Sequence, residues 1–403
     1  MGNKTTISIK KNSISYFLMI IPFIPIAYLT YLTSIFATIF SYARVVVIVI
    51  LLVRLFLIRR KFTVTLGLAL LYFVAGFFST FIAGQSYYTL LYDSSYLLGL
   101  TLLVEDGVFF DADAFVDGCL IWFEILIYAN LLYFILQPNG YQENFYLFGN
   151  YNSTIRYIFP GFILGAIHAF RLKNRITLRF CCMFLAFLYF LIRVGSMTSI
   201  FGMLIFIIAI LFYMWRKKSG LFKFEFFIVL SLALTYFFAI LGRFNIFENI
   251  ITNIFRRSMT LSGRTVIWSR TILEISKRPI WGYGELNIDE TRGLLNGATD
   301  PHNMYLGTLF YGGIIGIVVL SIILLVILRQ IRSCRKYSTQ IAMIFDAGFC
   351  AYFLMWNFES FSNVDEFYKI FLFFVMAYYC VNFAKGINKS NDSDDKSILK
   401  TNI

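Results

Sequence analysis

The run NMYLGTLFYGGIIGIVVLSIILLVIL, from Asn303 to Leu328, decides the fold class of this 403-residue chain. It contains no charged residue, and as a helix it exceeds the roughly 20 residues that cross about 30 Å of hydrocarbon. The rest of the chain is similar, since 59% of its residues are hydrophobic and only 14% are charged, against roughly 50% and about 25% in soluble domains. We therefore predict an all-α polytopic membrane protein.

Apolar runs of membrane-spanning length recur along the chain. We predict twelve membrane helices, at residues 14–36, 39–58, 62–84, 87–104, 115–136, 155–170, 176–192, 196–214, 222–241, 303–328, 341–358 and 366–384. If these helices alternate in direction, the clusters of lysine and arginine fall on one side of the membrane, as the positive-inside rule requires. Both termini are then cytoplasmic. The net charge of +13 reflects membrane topology, so we expect no nucleic-acid partner.

The predicted helices divide the chain into four parts: a membrane domain of nine helices (1–241), one large extracytoplasmic loop (242–302), helices ten to twelve (303–384) and a cytoplasmic tail (385–403). Within the loop, SGRTVIWSRTILEISK begins with Ser262 as a plausible N-cap and keeps apolar residues at helical spacing up to Pro279. This pattern predicts a helix on the membrane surface. The loop is also rich in basic residues on the side where they are normally sparse, which indicates an anionic ligand outside.

The loop ends at TDPHNMYLG, Thr299 to Gly307, where a polar segment gives way to the apolar run. Asp300 and Pro301 are typical of the N-cap and first position of a helix, so His302 would lie in the first turn at the outer end of helix ten. A helix N-terminus attracts phosphate. Its dipole disfavours the imidazolium, so we expect a neutral His302 at pH 7. The alternative is that His302 only anchors a helix end at the membrane interface.

Four segments, SGRTVIW, KRPIWGYG, PHNMYL and GGIIG, follow one another over residues 262–316. In this order and spacing they resemble the outer-loop signature of the O-antigen polymerase and ligase superfamily, which comprises the Wzy-type polymerases and their lipid A-linking relatives. GNYNST at 149–154 and GSMTSIFGMLIF at 195–206 resemble two further segments of that family. The resemblance implies a GT-C-like membrane glycosyltransferase that uses a lipid-diphosphate-linked sugar and needs neither a cofactor nor a metal.

The resemblance also implies the residues of the site. Arg264 and His302 occupy the positions of the loop arginine and histidine on which activity depends. An arginine fork suits the charge that develops on a leaving diphosphate, and a neutral imidazole can orient or deprotonate an acceptor hydroxyl. Many family members carry an arginine where this chain has Met197, and Arg193 would substitute for it. We assign diphosphate binding to Arg193, Arg257, Arg44 and Asn303, and glycan binding to Asn152, Trp268 and Trp281.

Charged residues inside the predicted membrane helices require a partner or a function. Arg44 either contacts phosphate or is accommodated by snorkelling or an internal ion pair. Glu124 suits a structural partner, such as Arg54 or a hydroxyl, as well as it suits a substrate role. Gly312 and Gly316 form a GxxxG motif, which indicates close helix packing.

These expectations favour a polymerase that joins undecaprenyl-diphosphate-linked repeat units into a capsular, O-antigen or exopolysaccharide chain at the outer face of the bacterial cytoplasmic membrane. A ligase that transfers a finished glycan to another acceptor would use the same chemistry. A lipid-linked oligosaccharide flippase is an alternative of another class, but this chain concentrates its arginines in one outer loop. The expected partners are the lipid bilayer, the lipid-linked oligosaccharide, a chain-length regulator and a flippase.

Overall fold

The computed structural model describes residues 11–59, 62–173, 175–217, 220–242, 263–362 and 364–385. These residues are almost entirely helical, with one short antiparallel hairpin of strands β1 (Phe145–Tyr146) and β2 (Gly149–Asn150). The helices are α1 (Lys11–Ile20), α2 (Ala27–Leu32), α3 (Ser34–Arg54), α4 (Val64–Ala83), α5 (Tyr87–Phe110), α6 (Ala112–Leu136), α7 (Thr154–Lys173), α8 (Leu178–Val194), α9 (Met197–Arg216), α10 (Phe224–Thr235), α11 (Arg264–Lys277), α12 (Ile288–Leu294), α13 (Met304–Tyr337), α14 (Thr339–Met355) and α15 (Val364–Tyr378).

Five of the described helices are long and apolar enough to cross a membrane. They are Ser34–Leu57, Val64–Ala83, Ala112–Leu136, Met197–Arg216 and Met304–Tyr337. Shorter apolar helices cover Asn12–Phe23, Phe224–Ile240 and Thr339–Met355. The predicted all-α polytopic membrane fold is confirmed at this level, whereas the count of twelve spans stays a prediction.

The first predicted span, 14–36, is wrong as a continuous helix. Regular α-helix ends at Ile20 and resumes at Ala27. Pro22 and Pro25 lie between these two points, and proline removes a helical hydrogen bond and clashes with the preceding turn. Each of the other predicted spans overlaps one described helix, because long apolar runs leave few alternatives, and α7 continues through its Pro160.

The chain forms two compact units: the first comprises residues 1–61, 98–196 and 379–403, and the second comprises residues 62–97 and 197–378. The first unit is centred on α6, which packs against α1, α7 and α8. Glycines allow these helices to approach closely. A Cβ on Gly118 would overlap the Ser13 carbonyl oxygen of α1, and one on Gly161 would overlap the Phe123 side chain.

The acidic segment 104–118 belongs to the first unit, and it forms the end of α5 and the start of α6 with a single break at Asp111. Asp111 is the N-cap of α6 and accepts a hydrogen bond from the backbone three residues later at 3.0 Å. Asp106 is buried, lies 2.9 Å from Arg54 Nε and accepts a hydrogen bond from the Tyr16 hydroxyl at 2.9 Å. The acids of this segment thus have structural partners.

A second ion pair of the first unit joins α6 to α8. Arg179 donates to both carboxylate oxygens of Glu124, from Nε at 2.6 Å and from Nη2 at 2.5 Å. The suggested partner Arg54 is therefore wrong, because Arg54 is used by Asp106. A bidentate pair of this kind is strong and directional, and it makes Glu124 a structural residue.

The second unit is built around α14, in which every residue from Ile341 to Phe353 is buried. This helix packs against α9, α10 and α13. At one end Arg335 of α13 donates to both carboxylate oxygens of Glu225 of α10 at 2.8 Å, and to Asp346 of α14 at 3.0 and 2.7 Å. One guanidinium thus ties three helices together.

Helix α13 is interrupted at Gly313, whose φ of 59° is readily adopted only by glycine. Backbone groups of α13 around this break form hydrogen bonds with the segment 279–284, which follows α11. Four backbone hydrogen bonds of 2.9 to 3.2 Å connect the two: Tyr283 N–H to Phe310 O, Gly284 N–H to Tyr311 O, Ile314 N–H to Pro279 O and Ile315 N–H to Ile280 O. The loop helix is thereby attached to the membrane helix that starts at the candidate site.

The GxxxG motif of α13 was predicted to mark close helix packing, and this prediction is wrong at Gly312. A Cβ on Gly312 would meet nothing within 4 Å. A Cβ on Gly316 would lie 3.0 Å from the carbonyl oxygen of Thr308 in the same helix. The motif accompanies the break in α13 and the open space beside it.

Candidate functional site

Arg264 is the first residue of α11, and the helix predicted within the loop is confirmed over Arg264–Lys277. The predicted N-cap Ser262 lies outside the described residues, and Gly263, with a φ of 86°, is the residue that precedes the helix. One face of α11 is buried through Trp268, Thr271 and Glu274. This face orients the helix and therefore fixes where the Arg264 side chain starts.

Part of the positive charge of the loop is neutralised within the loop itself. Glu274 is fully buried; it accepts hydrogen bonds from the Lys277 ammonium at 2.9 Å and the Tyr283 hydroxyl at 2.7 Å, and it lies 2.8 Å from Arg270. Burial alone would raise the pKa of Glu274, but these hydrogen bonds and the two cations outweigh it and lower that pKa. Arg270 and Lys277 are therefore partners of a buried carboxylate.

Arg264 meets a residue that lies far away in the sequence. Its Nη2 donates a hydrogen bond to Glu359 Oε1 at 2.9 Å, and the Glu359 side chain, just after α14, is 4% exposed. Arg264 Nε is buried and has no hydrogen-bond partner among the described residues. A buried guanidinium donor without a partner is unfavourable by itself, so this atom is suited to an anionic ligand.

His302 has a φ of 49°, a conformation that is uncommon for residues other than glycine and costs on the order of 1–3 kcal/mol. Its backbone N–H donates to Asp300 Oδ1 at 2.6 Å, and its carbonyl accepts from the Trp268 indole N–H at 3.4 Å. The predicted helix start is wrong, because Asn303 is the N-cap and α13 begins at Met304. His302 is thus held in a turn just outside the helix.

The imidazole of His302 faces two carboxylates. Its Nδ1 lies 3.3 Å from Asp300 Oδ1 and 3.7 Å from Glu359 Oε2. Burial favours the neutral ring, but the charges of Asp300 and Glu359 outweigh burial and the opposing charge of Arg264, and they raise the pKa of His302 above its ordinary 6.5. The expectation of a pKa lowered by the helix dipole is therefore wrong. With Nδ1 against the carboxylates, Nε2 is the ring atom suited to the substrate.

A buried hydrogen-bond network lies beneath His302 and connects three elements. Asn303 is fully buried; its Oδ1 accepts from the N–H groups of Tyr305 and Leu306, and its Nδ2 donates to Thr235 Oγ1 and to the Asn357 carbonyl, both at 3.2 Å. These contacts use the amide of Asn303, and its assignment to diphosphate binding stays a prediction. Asn303 joins the N-terminal end of α13 to α10 and to the segment after α14.

The structure also bears on the other residues assigned in the second unit. Trp268 is 1% exposed and supports the His302 turn, and its assignment to glycan binding stays a prediction. Trp281 is half-buried, with its ring 6.0 Å from that of Phe78, and its glycan role stays a prediction. Arg257 lies outside the described residues.

Three assigned residues belong to the first unit, whereas Arg264 and His302 belong to the second. Arg44 is 2% exposed within α3, and Arg193 is exposed in the last turn of α8. Asn152 Oδ1 accepts a hydrogen bond from Ser196 Oγ at 3.0 Å, so GNYNST and GSMTSIFGMLIF meet in the fold. The substrate roles of these residues stay predictions.

The sequence analysis missed Glu359. A signal for it exists, because Glu359 directly follows the predicted helix eleven (341–358), and the alternation of the predicted helices places that end on the same side as the large loop. A lone acid at such a position is a candidate partner for the loop arginines. Among the residues that the structure describes, no group of three or more His, Cys, Asp or Glu side chains is arranged to hold a metal ion.

One comparison with known proteins covers the part of the chain that contains Arg264 and His302. A family model described as O-antigen ligase matches residues 181–321. An O-antigen ligase of Pseudomonas aeruginosa is 32% identical over 132 residues, which is 32% of this chain and 29% of that protein, so the match spans less than a third of the relative. No solved structure matches. Both matches support the predicted resemblance to the O-antigen polymerase and ligase superfamily, each over about a third of this chain.

Proposed function

We propose that this chain is a membrane glycosyltransferase of GT-C type that moves a glycan from a lipid diphosphate to a hydroxyl acceptor. Its first candidate reaction is the polymerisation of undecaprenyl-diphosphate-linked repeat units at the outer face of the bacterial cytoplasmic membrane. One observation carries the proposal: Glu359 contacts both Arg264 and His302 beside the start of a membrane helix. A cation for the leaving diphosphate and a carboxylate-supported imidazole are the two groups that this transfer uses.

In the proposed reaction, the acceptor hydroxyl oxygen forms a bond to the anomeric carbon of the donor sugar, and the bond from that carbon to the diphosphate oxygen breaks. His302 Nε2 takes the hydroxyl proton, and the carboxylates of Asp300 and Glu359 stabilise the imidazolium. The electron pair of the broken bond stays on the diphosphate, where Arg264 meets the added charge. The proton then passes to water or to the released lipid diphosphate. This scheme balances without a cofactor or metal, and metal-independent turnover is part of the proposal.

A ligase is the second candidate, and the names of the matching family and of the relative favour it. The chemistry at Arg264 and His302 would be the same, and only the acceptor would differ. A flippase needs no proton acceptor beside an arginine, so the pairing of these residues through Glu359 favours an enzyme over a flippase.

Purified protein in liposomes, supplied with lipid-linked repeat units from a strain that lacks this chain, tests the proposal. A polymerase should form a ladder of polymer from these units alone. A ligase should form no ladder but should transfer the glycan to an added acceptor. Translocation of the units without any new glycosidic bond would contradict both and favour the flippase.

His302→Ala should reduce turnover by the ~10² to 10⁴ typical of lost general acid–base catalysis. Binding of the lipid-linked units should be largely kept, because Arg264 remains. Turnover and binding are measured in the same liposomes, and the amount of protein in the membrane should match wild type. Polymer of normal length made at a normal rate would show that His302 is only an interfacial anchor.

A further inference from the structure

The second unit contains a cavity of about 40 Å³. It is lined by α4, by Gly284 and Glu285, by residues 308–319 of α13, and by Ser362. A cavity of this size holds about three water molecules at roughly 10–15 Å³ each. Alternatively, part of one larger ligand, with its hydroxyl groups, could fill the cavity in place of these water molecules.

The described walls of the cavity carry a carboxylate and several hydroxyl groups. Glu285 lines it and is 8% exposed, and the hydroxyl-bearing residues around it are Tyr72, Ser79, Thr80, Thr308, Tyr311 and Ser362. Among the residues that the structure describes, no arginine or lysine is part of the lining. A phosphate would find no counter-charge there, whereas a group with several hydroxyls could donate to the carboxylate and exchange hydrogen bonds with the walls.

Ser79 provides an independent sign of a ligand. Its side chain is 1% exposed and lines the cavity, and its Oγ has no hydrogen-bond partner among the described residues. Buried hydroxyl groups are normally paired. An occupant with hydroxyl groups would complete the hydrogen bonding of Ser79.

Glycines keep the cavity open. Gly312 faces open space, since a Cβ there would meet nothing within 4 Å, and Gly284, with a φ of 70°, lies against the backbone of Thr80. The Glu285 N–H donates to Thr80 Oγ1 at 3.1 Å, which fixes the carboxylate-bearing segment against α4. The space is thus a built feature of the fold.

We propose that this cavity binds hydroxyl groups of an uncharged sugar residue of the glycan, and this inference rests on the proposed function. Thr308 lies roughly two turns along α13 from His302, so a sugar in the cavity stays close to the transfer centre. Arg264 would then bind the diphosphate of the substrate, and the cavity would bind one of its sugar residues. The sugar belongs either to the acceptor or to the donor.

Two variants test the cavity with a matched control. Gly312→Ala adds one methyl group to open space within a helix, and Ser79→Ala removes only the unpartnered hydroxyl. Gly293→Ala is the control, because Gly293 also lies in a helix with nothing within 4 Å of an added Cβ, but it does not line the cavity. All three should unfold at the wild-type temperature, and Ser79→Ala decides the test if Gly312→Ala does not fold.

Binding is measured by calorimetry on the full-length protein in detergent, with the free oligosaccharide released from the lipid-linked units by mild acid and, separately, with inorganic diphosphate. Ser79→Ala should bind the oligosaccharide about three- to tenfold more weakly, the effect of losing one hydrogen bond. Gly312→Ala should also bind it more weakly, because the added methyl group occupies part of the cavity, and both variants should bind diphosphate as wild type does. Gly293→Ala should bind both normally. Unchanged oligosaccharide binding in the cavity variants would show that the cavity holds only water, and the inference would be wrong.

Kinetics in liposomes separate the two sources of the sugar. A raised KM for free oligosaccharide as acceptor, at saturating lipid-linked donor, would assign the cavity to the acceptor. A raised KM for the donor would assign it to the donor sugar. Because binding is measured without turnover, cavity-dependent binding by a protein that forms no glycosidic bond would disprove the proposed function and leave the cavity site intact.

Discussion

At the scale of single residues, Glu359 determines how the two residues implied by the family resemblance can act together. One of its oxygens holds Arg264 at 2.9 Å, and the other lies 3.7 Å from His302 Nδ1. A carboxylate strengthens an imidazole as a base and fixes the orientation of an arginine fork. Under the proposed function, Glu359 is a positioning residue for both proton transfer and diphosphate stabilisation.

Asp300→Asn should move the acidic limb of the pH–rate profile to lower pH. Asp300 and Glu359 raise the pKa of His302 above 6.5, so the neutral, proton-accepting ring is populated only as the pH rises through that raised pKa. Removing one carboxylate lowers the pKa of His302. The asparagine oxygen can still accept from the His302 N–H, which keeps the turn. The measurement is kcat/KM between about pH 5 and 8, and an unmoved limb would show that another group titrates.

Arg264→Lys keeps the charge but loses the planar fork. Stabilisation of the leaving diphosphate should fall by ~2 to 4 kcal/mol, or roughly 10² to 10³ in turnover, with accumulation of single lipid-linked units in cells. Arg292→Lys is the matched control, because Arg292 is an exposed loop arginine paired with Asp289 at 3.3 Å, and it should remain active. Similar losses in both variants would remove the special role of Arg264.

At the scale of elements, the interrupted helix α13 connects the loop to the membrane. Its break at Gly313 exposes backbone groups, and residues 279–284 pair with them through four hydrogen bonds. A membrane helix can be interrupted only where its free backbone groups find partners. The break therefore positions α11 and Arg264 relative to the start of the same helix, where His302 lies.

The neighbouring glycines of α13 should respond differently to alanine. Gly313→Ala places a side chain at a φ of 59° and against the Ile280 carbonyl oxygen, so it should cost more than the ~1 kcal/mol of an unfavourable φ alone and lower the unfolding temperature in detergent. Gly312→Ala meets open space and should unfold like wild type. Equal destabilisation by the two substitutions would contradict the interrupted helix.

At the scale of the whole molecule, the proposed function requires the loop to face outward. The five long apolar helices and the shorter ones support a multi-pass membrane protein, and the positive-inside rule supplies the predicted orientation. Substrate carried by undecaprenyl diphosphate would meet Arg264 only if the loop lies on the outer side. The orientation is thus directly linked to function.

Cysteine labelling in intact cells tests this orientation. In a variant whose six native cysteines are replaced by serine, a cysteine near Asn287, placed at the 91% exposed Asp289, should react with a membrane-impermeant maleimide. A cysteine at Lys217, which is exposed at the end of α9, should react only after the cells are opened. The opposite pattern would contradict an outward loop.

The sequence by itself determined the membrane class, most helix positions, the loop helix and the pairing of Arg264 with His302 as site candidates. These features depend on local quantities: the length of apolar runs, proline positions, helical periodicity and ordered motifs. It could not show that residues 14–36 are divided among α1, α2 and the start of α3, although both prolines were visible.

Only the tertiary structure decided which side chains meet. Glu359 reaches Arg264 and His302 from 95 and 57 residues away in the numbering, and Arg179 reaches Glu124 from another helix. Asn303 and Trp268 are polar or aromatic residues in a loop signature, but both are buried and serve the packing of the site. The pKa of His302 likewise depends on carboxylates that only folding brings near, because electrostatic and hydrogen-bond energies depend on distance in space and not on separation along the chain.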